Sequence, residues 1–310
     1  MTIKKCERAE YTQTLAMMNK AFGMGEHEFE EMMPSLTPYE KDATDEQIAR
    51  HFIAVKDGVA IGCVGAYPRG VIVSGEPYDA FGIGQVCCAE EERERGVMSA
   101  LMNAAVEDSV RNGAVLGYLG GNIPRYRHFG FHPAGAMIEF MIKTRRIKNV
   151  ASEYAAGVIR ADLHDTAKTA RLYERFMSRA ARTDAHWEEI LSRGTLECYY
   201  APGPEGAYLI ADKRDGSIAE LQGGAAEAAG LLIFYAGRRG IERVTVRYPF
   251  LRHTDDKLYN MLYEYTDRFA VHPTALAAIY GDGAAAERLK EIYWTNGTCG
   301  DFWISGVDEV

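Results

Sequence analysis

The sequence predicts a mixed α/β fold in two units, and three observations carry that expectation. At 310 residues the chain exceeds one ordinary domain of roughly 150 residues and suits two. Up to about residue 140 it alternates short strand-like and helix-like segments, the pattern of an α/β layer structure. A strand, a helix, a glycine stop and a strand then recur in the same order in the second half.

Composition narrows the class. With 47% apolar and 25% charged residues, 31 Gly and 10 Pro, the chain has a soluble globular profile and not a disordered or collagenous one. Its 35 Lys and Arg against 44 Asp and Glu give a net charge of −9, the wrong sign for neutralising nucleic-acid phosphates and easier to reconcile with a cationic partner. The segment Met1 to Arg8 has no apolar leader, and no later run approaches the ~18 apolar residues of a membrane span, so a cytoplasmic protein is expected. The six cysteines form no C-x-x-C pattern and read as reduced thiols. The eight histidines show no metal-ligand spacing, so no metal is expected.

The elements follow in order. Tyr11 to Phe22 places Leu15, Met18, Ala21 and Phe22 at helical spacing, and Gly23 and Gly25 stop that helix. Residues 52–55 and 59–65 make a hairpin across Lys56-Asp57-Gly58, a turn that exploits the tolerance of glycine for positive φ. Val71-Ile72-Val73 and Phe81 to Cys88 are two more extended runs around Ser74-Gly75-Glu76-Pro77. Between Lys143 and Gly157 the composition turns basic, polar and small, which places a boundary between a first unit, 1–145, and a second, 157–310. The second unit offers a helical stretch from Asp165 to Leu191, with Leu172, Phe176, Trp187, Ile190 and Leu191 facing a core. Strands near 198–200, 207–210 and 217–221 come next, then a helix over 225–239, a stop at Gly240 and a strand over 241–248.

One segment carries chemistry: Val86-Cys87-Cys88 runs through Arg93-Glu94-Arg95-Gly96 into a helix that begins Val97-Met98-Ser99 and stops at Asn112-Gly113. A helix start presents unpaired N–H groups and the positive end of the macrodipole, so this loop can cradle a pyrophosphate, with Gly96 allowing close approach and Arg93 or Arg95 adding charge-assisted hydrogen bonds. A solvated charged turn before an ordinary amphipathic helix is the plainer alternative for the loop alone. The corresponding place in the second half is only Gln222-Gly223-Gly224, so the same chemistry is expected to be absent there. After the strand Ala114 to Leu119 comes Gly120-Gly121-Asn122-Ile123-Pro124-Arg125-Tyr126-Arg127-His128-Phe129-Gly130-Phe131.

With these residues the chain, over about 3–142, resembles the GCN5-related N-acetyltransferases (GNAT), which run strand, Arg/Gln-x-x-Gly-x-Gly/Ala loop, helix, strand, then a Tyr followed closely by Phe-Gly-Phe/Tyr. Its length and motifs look most like the multi-domain enhanced-intracellular-survival acetyltransferases, without their sterol-carrier-like third domain. Met98 departs from the pattern, standing where Gly or Ala is usual. The resemblance implies tandem GNAT-like domains with mostly antiparallel central sheets, the second degenerate. It implies an N-acetyltransferase that passes an acetyl group from acetyl-CoA directly to a primary amine of a small cationic molecule or peptide. In that reading Val86, Cys87 and Cys88 pair with the pantetheine arm and a main-chain N–H there polarises the thioester carbonyl. Arg93, Glu94, Arg95, Gly96, Val97, Met98 and Ser99 hold the pyrophosphate, Gly121 and Asn122 lie beside the cofactor, and Tyr126 is the general acid for the departing thiolate.

Tyr126 could instead be an aromatic packing on Phe129 and Phe131. The adjacent Cys87 and Cys88 point to opposite strand faces with no activating neighbour, which favours packing over nucleophilic catalysis. Candidates for the general base are Glu76, Asp79, a water, or, by resemblance, the terminal carboxylate of Val310. Gly25 to Met33, with Glu26, Glu28, Glu30 and Glu31 beside Phe29, Met32 and Met33, is expected to line the acceptor site or to be an exposed acidic helix face. The aromatic-rich tail, Tyr293-Trp294 through Phe302-Trp303, is expected to pack the second domain against the first. A non-catalytic acyl-CoA sensor or partner-binding module, and a transferase for another acyl group or a hydroxyl acceptor, stand as alternatives; self-association stays open.

Overall fold

The computed structural model describes residues 1–162, 165–250, 256–295 and 303. Strand β1 (Thr2–Lys5) leads into helix α1 (Arg8–Phe22), which ends at Gly23 in the left-handed region, φ 68°. Short helices α2 (Glu28–Met32) and α3 (Asp45–Ile48) precede the hairpin of β2 (His51–Lys56) and β3 (Val59–Val73). Asp57 and Gly58, at φ 52° and 79°, make the expected turn with positive φ at both central positions. β3 returns through Ser74 and Gly75 to β4 (Glu76–Cys88). Then come α4 (Val97–Arg111), β5 (Leu116–Leu119), the single turn α5 (Ile123–Tyr126), β6 (His132–Ala134), β7 (Met137–Lys143) and α6 (Thr144–Ala155).

The second half adds β8 (Ile159–Arg160), α7 (Thr166–Tyr173), β9 (Arg179–Ala180), α8 (Asp184–Ser192), β10 (Leu196–Ala201) and β11 (Ala207–Asp212). It ends with β12 (Ile218–Gly223), α9 (Ala225–Arg239), β13 (Arg243–Pro249), α10 (Lys257–Tyr265), β14 (Thr266–His272), β15 (Ala275–Ile279) and α11 (Ala284–Thr295).

These strands form two sheets. The first has the order β1-β2-β3-β4-β5-β15-β6 with β9 on β3; the second is β14-β7-β13-β12-β11-β10-β8. Both are antiparallel except at one place each, where β4 pairs with β5 and β12 with β13 in parallel. Those are the two strand–helix–strand units of the repeat, with α4 and α9 as the crossovers. In both, the parallel contact is short: β4 and β5 pair only from Ala80 with Leu116 to Gly82 with Tyr118, and β12 and β13 only at Ile218 with Val246. Past that point the neighbours diverge.

The sheets exchange strands across the boundary read from composition. β7, before that boundary, pairs with β13 and β14, whereas β15, from near the end of the chain, inserts between β5 and β6. Each sheet therefore contains a strand from the other's stretch of sequence. The basic segment read as a linker is helix α6, packed on α9 so closely that a Cβ at Gly230 would lie 2.6 Å from the Tyr154 Cβ. The single helical stretch expected over 165–191 is two helices with β9 between them, because Arg179 and Ala180 pair with β3. Val71 to Val73 is the end of β3 and not a separate strand. Pro68 interrupts no pair on the β2 side, since pairing with β2 stops at Gly65 and pairing with β9 starts at Val71.

The core is built on both sheets. Ala54, Val64, Phe81, Ile83, Leu101 and Phe131 are buried between the first sheet and α4, and Trp187, Tyr208, Leu232 and Tyr248 in the second. Trp303 packs on Phe176 within the second core, at 4.5 Å between ring centroids, and not against the first domain. The side chains of Tyr293, Trp294 and Phe302 lie outside the described residues. Just after β9, Arg182 makes a bidentate ion pair with Glu220 on β12, the two side chains 1% and 0% exposed. Tyr208 donates to the same carboxylate at 3.0 Å, and the guanidinium lies 3.9 Å from the Tyr173 ring centroid and 4.5 Å from that of Trp187. The segment that touches the first sheet at β9 is thereby anchored in the second.

Two outcomes follow from this architecture. Arg182→Met leaves a buried carboxylate without its counter-charge and is expected to cost about 3–5 kcal/mol in urea denaturation, with Glu220→Gln in the same chain restoring part of the loss. A fragment ending at residue 145 lacks β15 and leaves β7 unpaired; its circular-dichroism melt should show no cooperative transition.

Candidate active site

The site starts where β4 leaves β5. Among the described residues the end of β4 beyond Gly82 has no partner on that side, while β3 continues to pair with it as far as Cys88. On the β3 side the register slips by one residue: Cys63 faces Cys87 but Gly65 faces Gly84, so Gln85 and Val86 together oppose Val64. This β-bulge puts Gln85 at φ 48°, a left-handed conformation uncommon for a residue with a side chain. Sequence reading located the strand but missed the bulge.

Residues 89–96 carry the chain from β4 to α4 through one 3-10 turn. Glu92 accepts from Lys56 at 2.7 Å and from Arg95 at 3.3 Å, and the Lys56 ammonium holds its carboxyl below the usual range. Glu94 and Gly96 both have positive φ, 64° and 78°. Gly96 precedes α4, no side chain caps that helix, and a Cβ built on Gly96 would meet nothing within 4 Å. The first-turn N–H groups of Val97, Met98 and Ser99 therefore start beside open space, which suits an anion.

A cleft of about 540 Å³ joins these features, lined by Ala21 and Phe22 at the end of α1, Val86, Cys87 and Cys88, then Arg93, Glu94, Met98 and Arg125. Six of the twelve residues expected to hold a cofactor line this cleft. Gly96, Val97 and Ser99 adjoin it in the chain, with Val97 buried against the core and Ser99 exposed. Met98 packs on the first core and also lines the cleft. Arg95, Gly121 and Asn122 are exposed and are not among its lining.

Tyr126 is 6% exposed at the end of α5, with its ring 6.5 Å from that of Phe131 and against Gly121, where a Cβ would come within 2.8 Å. Its neighbour Arg125 reaches the cleft and Tyr126 does not line it. Burial raises the phenol pKa, offset in part by the Arg125 charge, so the hydroxyl holds its proton at neutral pH.

The cysteines divide as expected of adjacent strand positions. Cys87 packs toward α1, its Sγ 3.7 Å from Met17 Sδ, and burial pushes its thiol up to about 12; Cys88 packs on the opposite cluster with α4. Glu76 and Asp79 stand at the far end of β4, Asp79 about 20 Å along the strand from Gln85, which removes both as bases at the bulge. Glu76 is instead 3.5 Å from Arg288. Val310 and Cys299 lie outside the described residues. Among the described residues no group of three or more potential metal ligands is found, and no helix is long and apolar enough to cross a membrane.

A second cavity, about 940 Å³, shares no lining residue with the cleft. It runs along α1 from Arg8 past the helix end to Met24 and is closed by His27, Glu30 and Tyr39. Of the acidic residues expected here, Glu30 is 2% exposed and accepts from Asn19 Nδ2 at 3.0 Å, with His27 Nδ1 at 2.8 Å; Glu26 lines the cavity, whereas Glu28 and Glu31 do not.

Behind the bulge lies a polar chain that sequence reading missed. Gln85, 5% exposed, receives the Tyr67 hydroxyl, which is 3.1 Å from His51 Nε2; His51 Nδ1 is 3.2 Å from the Ile48 carbonyl, and Gln85 Nε2 is 3.5 Å from Met33 Sδ. Complete burial lowers the His51 pKa from 6.5 to about 4. A histidine neutral in the fold and protonated when unfolded stabilises fully above its unfolded value. That contribution, on the order of 3 kcal/mol, is lost as pH falls from 6.5 toward 4. The stability gap between wild type and His51→Asn, from urea denaturation, should accordingly shrink over that window.

Residues 2–134 match the model of the acetyltransferase (GNAT) domain. No curated protein matches the chain. Solved structures share its fold. A GCN5-related N-acetyltransferase from Kribbella flavida aligns with TM-score 0.70 at 18% identity, over 90% of this chain and 71% of the other. One from Anabaena variabilis gives 0.67 at 17%, over 90% and 72%. Eis1 from Mycobacterium abscessus gives 0.59 at 16%, over 90% and 74%.

Proposed function

We propose that this chain, whose residues 2–134 match the GNAT acetyltransferase domain, moves an acetyl group from acetyl-CoA directly to a primary amine. The observation that carries the reading is the cleft that joins an open strand end at Val86–Cys88 to an uncapped helix start at Gly96. A long ligand with an anionic end and a peptide-like arm matches both. Arg93 and the N–H groups of Val97 to Ser99 hold the pyrophosphate, with Arg95 adding charge from outside the cleft; the edge of β4 pairs with the pantetheine amides, and Gly121 and Asn122 flank the arm. A main-chain N–H at the bulge polarises the thioester carbonyl.

The amine nitrogen attacks the carbonyl carbon, the C–S bond breaks as the tetrahedral intermediate collapses, and the thiolate takes a proton from Tyr126. The proton lost by the amine leaves through water, and the Tyr126 phenolate regains one from water. For the acceptor, a small cationic molecule or a Lys-bearing peptide, we assign the cavity along α1, whose wall carries buried Glu30 with Glu26, Glu40, Leu15 and Tyr39 beside the basic Arg8, Lys20 and Lys41.

For the second domain we propose a GNAT-like unit without cofactor. Its equivalent helix start is occupied by Glu227, 4% exposed, whose carboxylate accepts from the Glu205 N–H at 3.2 Å and lies 2.2 Å from a Cβ built on Gly224. A carboxylate there repels the phosphate that the first domain would attract. The burial of Tyr126 outside the cleft lining favours a second reading, a non-catalytic acyl-CoA sensor.

CoA release from acetyl-CoA, measured against polyamines, aminoglycosides and Lys-bearing peptides, separates the two. Turnover with at least one amine, and a fall of roughly a hundredfold in kcat for Tyr126→Phe, is expected. Binding of acetyl-CoA with no turnover on any acceptor supports the sensor, and an unchanged kcat in Tyr126→Phe removes the general acid.

A further inference from the structure

We propose that His51, Tyr67 and Gln85 form a positioning chain that fixes the bulge N–H on the acyl carbonyl, and that Met33 ties this chain to the segment covering the amine side. The inference rests on the reading of the cleft as an acetyl-CoA site.

A bulge needing positive φ at its first position ordinarily takes glycine, because a side chain there costs about 1–2 kcal/mol. This chain keeps glutamine at φ 48° and buries its side chain. The carboxamide is held from two sides, by the Tyr67 hydroxyl and by Met33 Sδ at 3.5 Å. Tyr67 is held in turn by His51, and His51 sits against the Ile48 carbonyl at the end of α3. His51 and Tyr67 are 0% and 1% exposed, and neither they nor Gln85 line the cleft.

Room for the chain is made by a second residue. A Cβ at Gly65 would stand 2.3 Å from the Tyr67 hydroxyl, so the phenol crosses the sheet only over a glycine. Buried polar side chains on adjacent strands, a left-handed glutamine and a glycine cleared for a hydroxyl all converge on Gln85, the first of the two residues that break the β3–β4 register. Packing alone needs none of these; an apolar core would fill the same volume without donors to satisfy. A donor that stabilises developing oxyanion charge, however, must be fixed before the reaction, and a displacement of about 1 Å can cost on the order of a hundredfold in rate. Met33 follows directly on α2, so the seating of the segment over the amine cavity is read at the same carboxamide.

The test uses acetyl-CoA labelled with ¹³C at the acyl carbonyl, bound to the full chain and read by NMR, which needs no acceptor. The wild-type complex should show a downfield carbonyl shift. Tyr67→Phe, which removes one oxygen, and Gln85→Ala should lose half of that shift or more, while the Kd for acetyl-CoA moves less than about threefold. Gln85→Gly, free to keep positive φ, should retain more of the shift than Gln85→Ala. With an amine that supports turnover, Tyr67→Phe should lower kcat about tenfold or more and leave KM for acetyl-CoA nearly unchanged.

A wild-type carbonyl shift in Tyr67→Phe and in Gln85→Ala, both in folded protein by thermal melting, overturns the positioning role and leaves the acetyltransferase reading standing. Failure of the wild-type chain to bind acetyl-CoA overturns both.

Discussion

The parting of β4 from β5 after Gly82 is the constraint on which the site depends. A parallel pair joined by a helix must keep its strands adjacent near the crossover, yet here the pairing covers only Ala80 to Gly82. Everything beyond belongs to β3, which holds β4 on one edge and leaves the other open. The bulge at Gln85–Val86 twists that open edge further, and α4 begins beside it with no side chain at its N-terminus. An open edge and an uncapped helix start are both costly features in a folded chain, since they leave backbone donors unpaired. Found side by side, they define a ligand that brings its own acceptors.

The same divergence explains why the second half is shaped alike and equipped differently. β12 and β13 likewise meet only briefly, at a single pair, and α9 also follows a glycine. There Glu227 lies beside the helix start, accepting from the Glu205 N–H, and a Cβ on Gly203 or Gly224 would collide with its carboxylate, although no side chain caps α9 either. The helix start at Gly96 faces open space, whereas the one at Gly224 faces a carboxylate. The exchange of β7 and β15 locks the two copies together, so that removing either removes a strand from its neighbour's sheet.

What the sequence revealed was local. The stop of α1 at Gly23, the Asp57-Gly58 turn, the helix after Gly96 and the recurrence of that order at Gly224 are each specified within a few residues, and each lies where the pattern places it. What it hid was long-range. The placement of β15 between β5 and β6 is invisible in residues 275–279, which would read as a buried strand in either sheet. α6 was hidden by its own charge: among its described side chains only Ile147 and Tyr154, two turns apart, pack on the core, between basic and small residues. The Arg182–Glu220 pair and the His51–Tyr67–Gln85 chain unite residues far apart in the chain, and no spacing rule finds such partners. For the site, the phosphate loop was legible because helix-start chemistry is contiguous. The bulge was not, because it is a relation between two strands.

The acidity of the chain has a similar lesson. A net charge of −9 suggests a cationic acceptor, yet many of the carboxylates are already engaged. Asp267 gathers Lys143, Arg146 and Arg243, Glu220 is neutralised by Arg182, and Glu92 by Lys56 and Arg95. Exposed surplus charge is screened by salt within about a Debye length and does little to select a substrate. Glu30 differs: it is buried beside a cavity, and the groups that satisfy it are an amide and a histidine, not a lysine or arginine. Charge acts at short range in such a sheltered place, so Glu30, and Arg8, Lys20 and Lys41 on the same cavity wall, weigh more there than the whole-chain total.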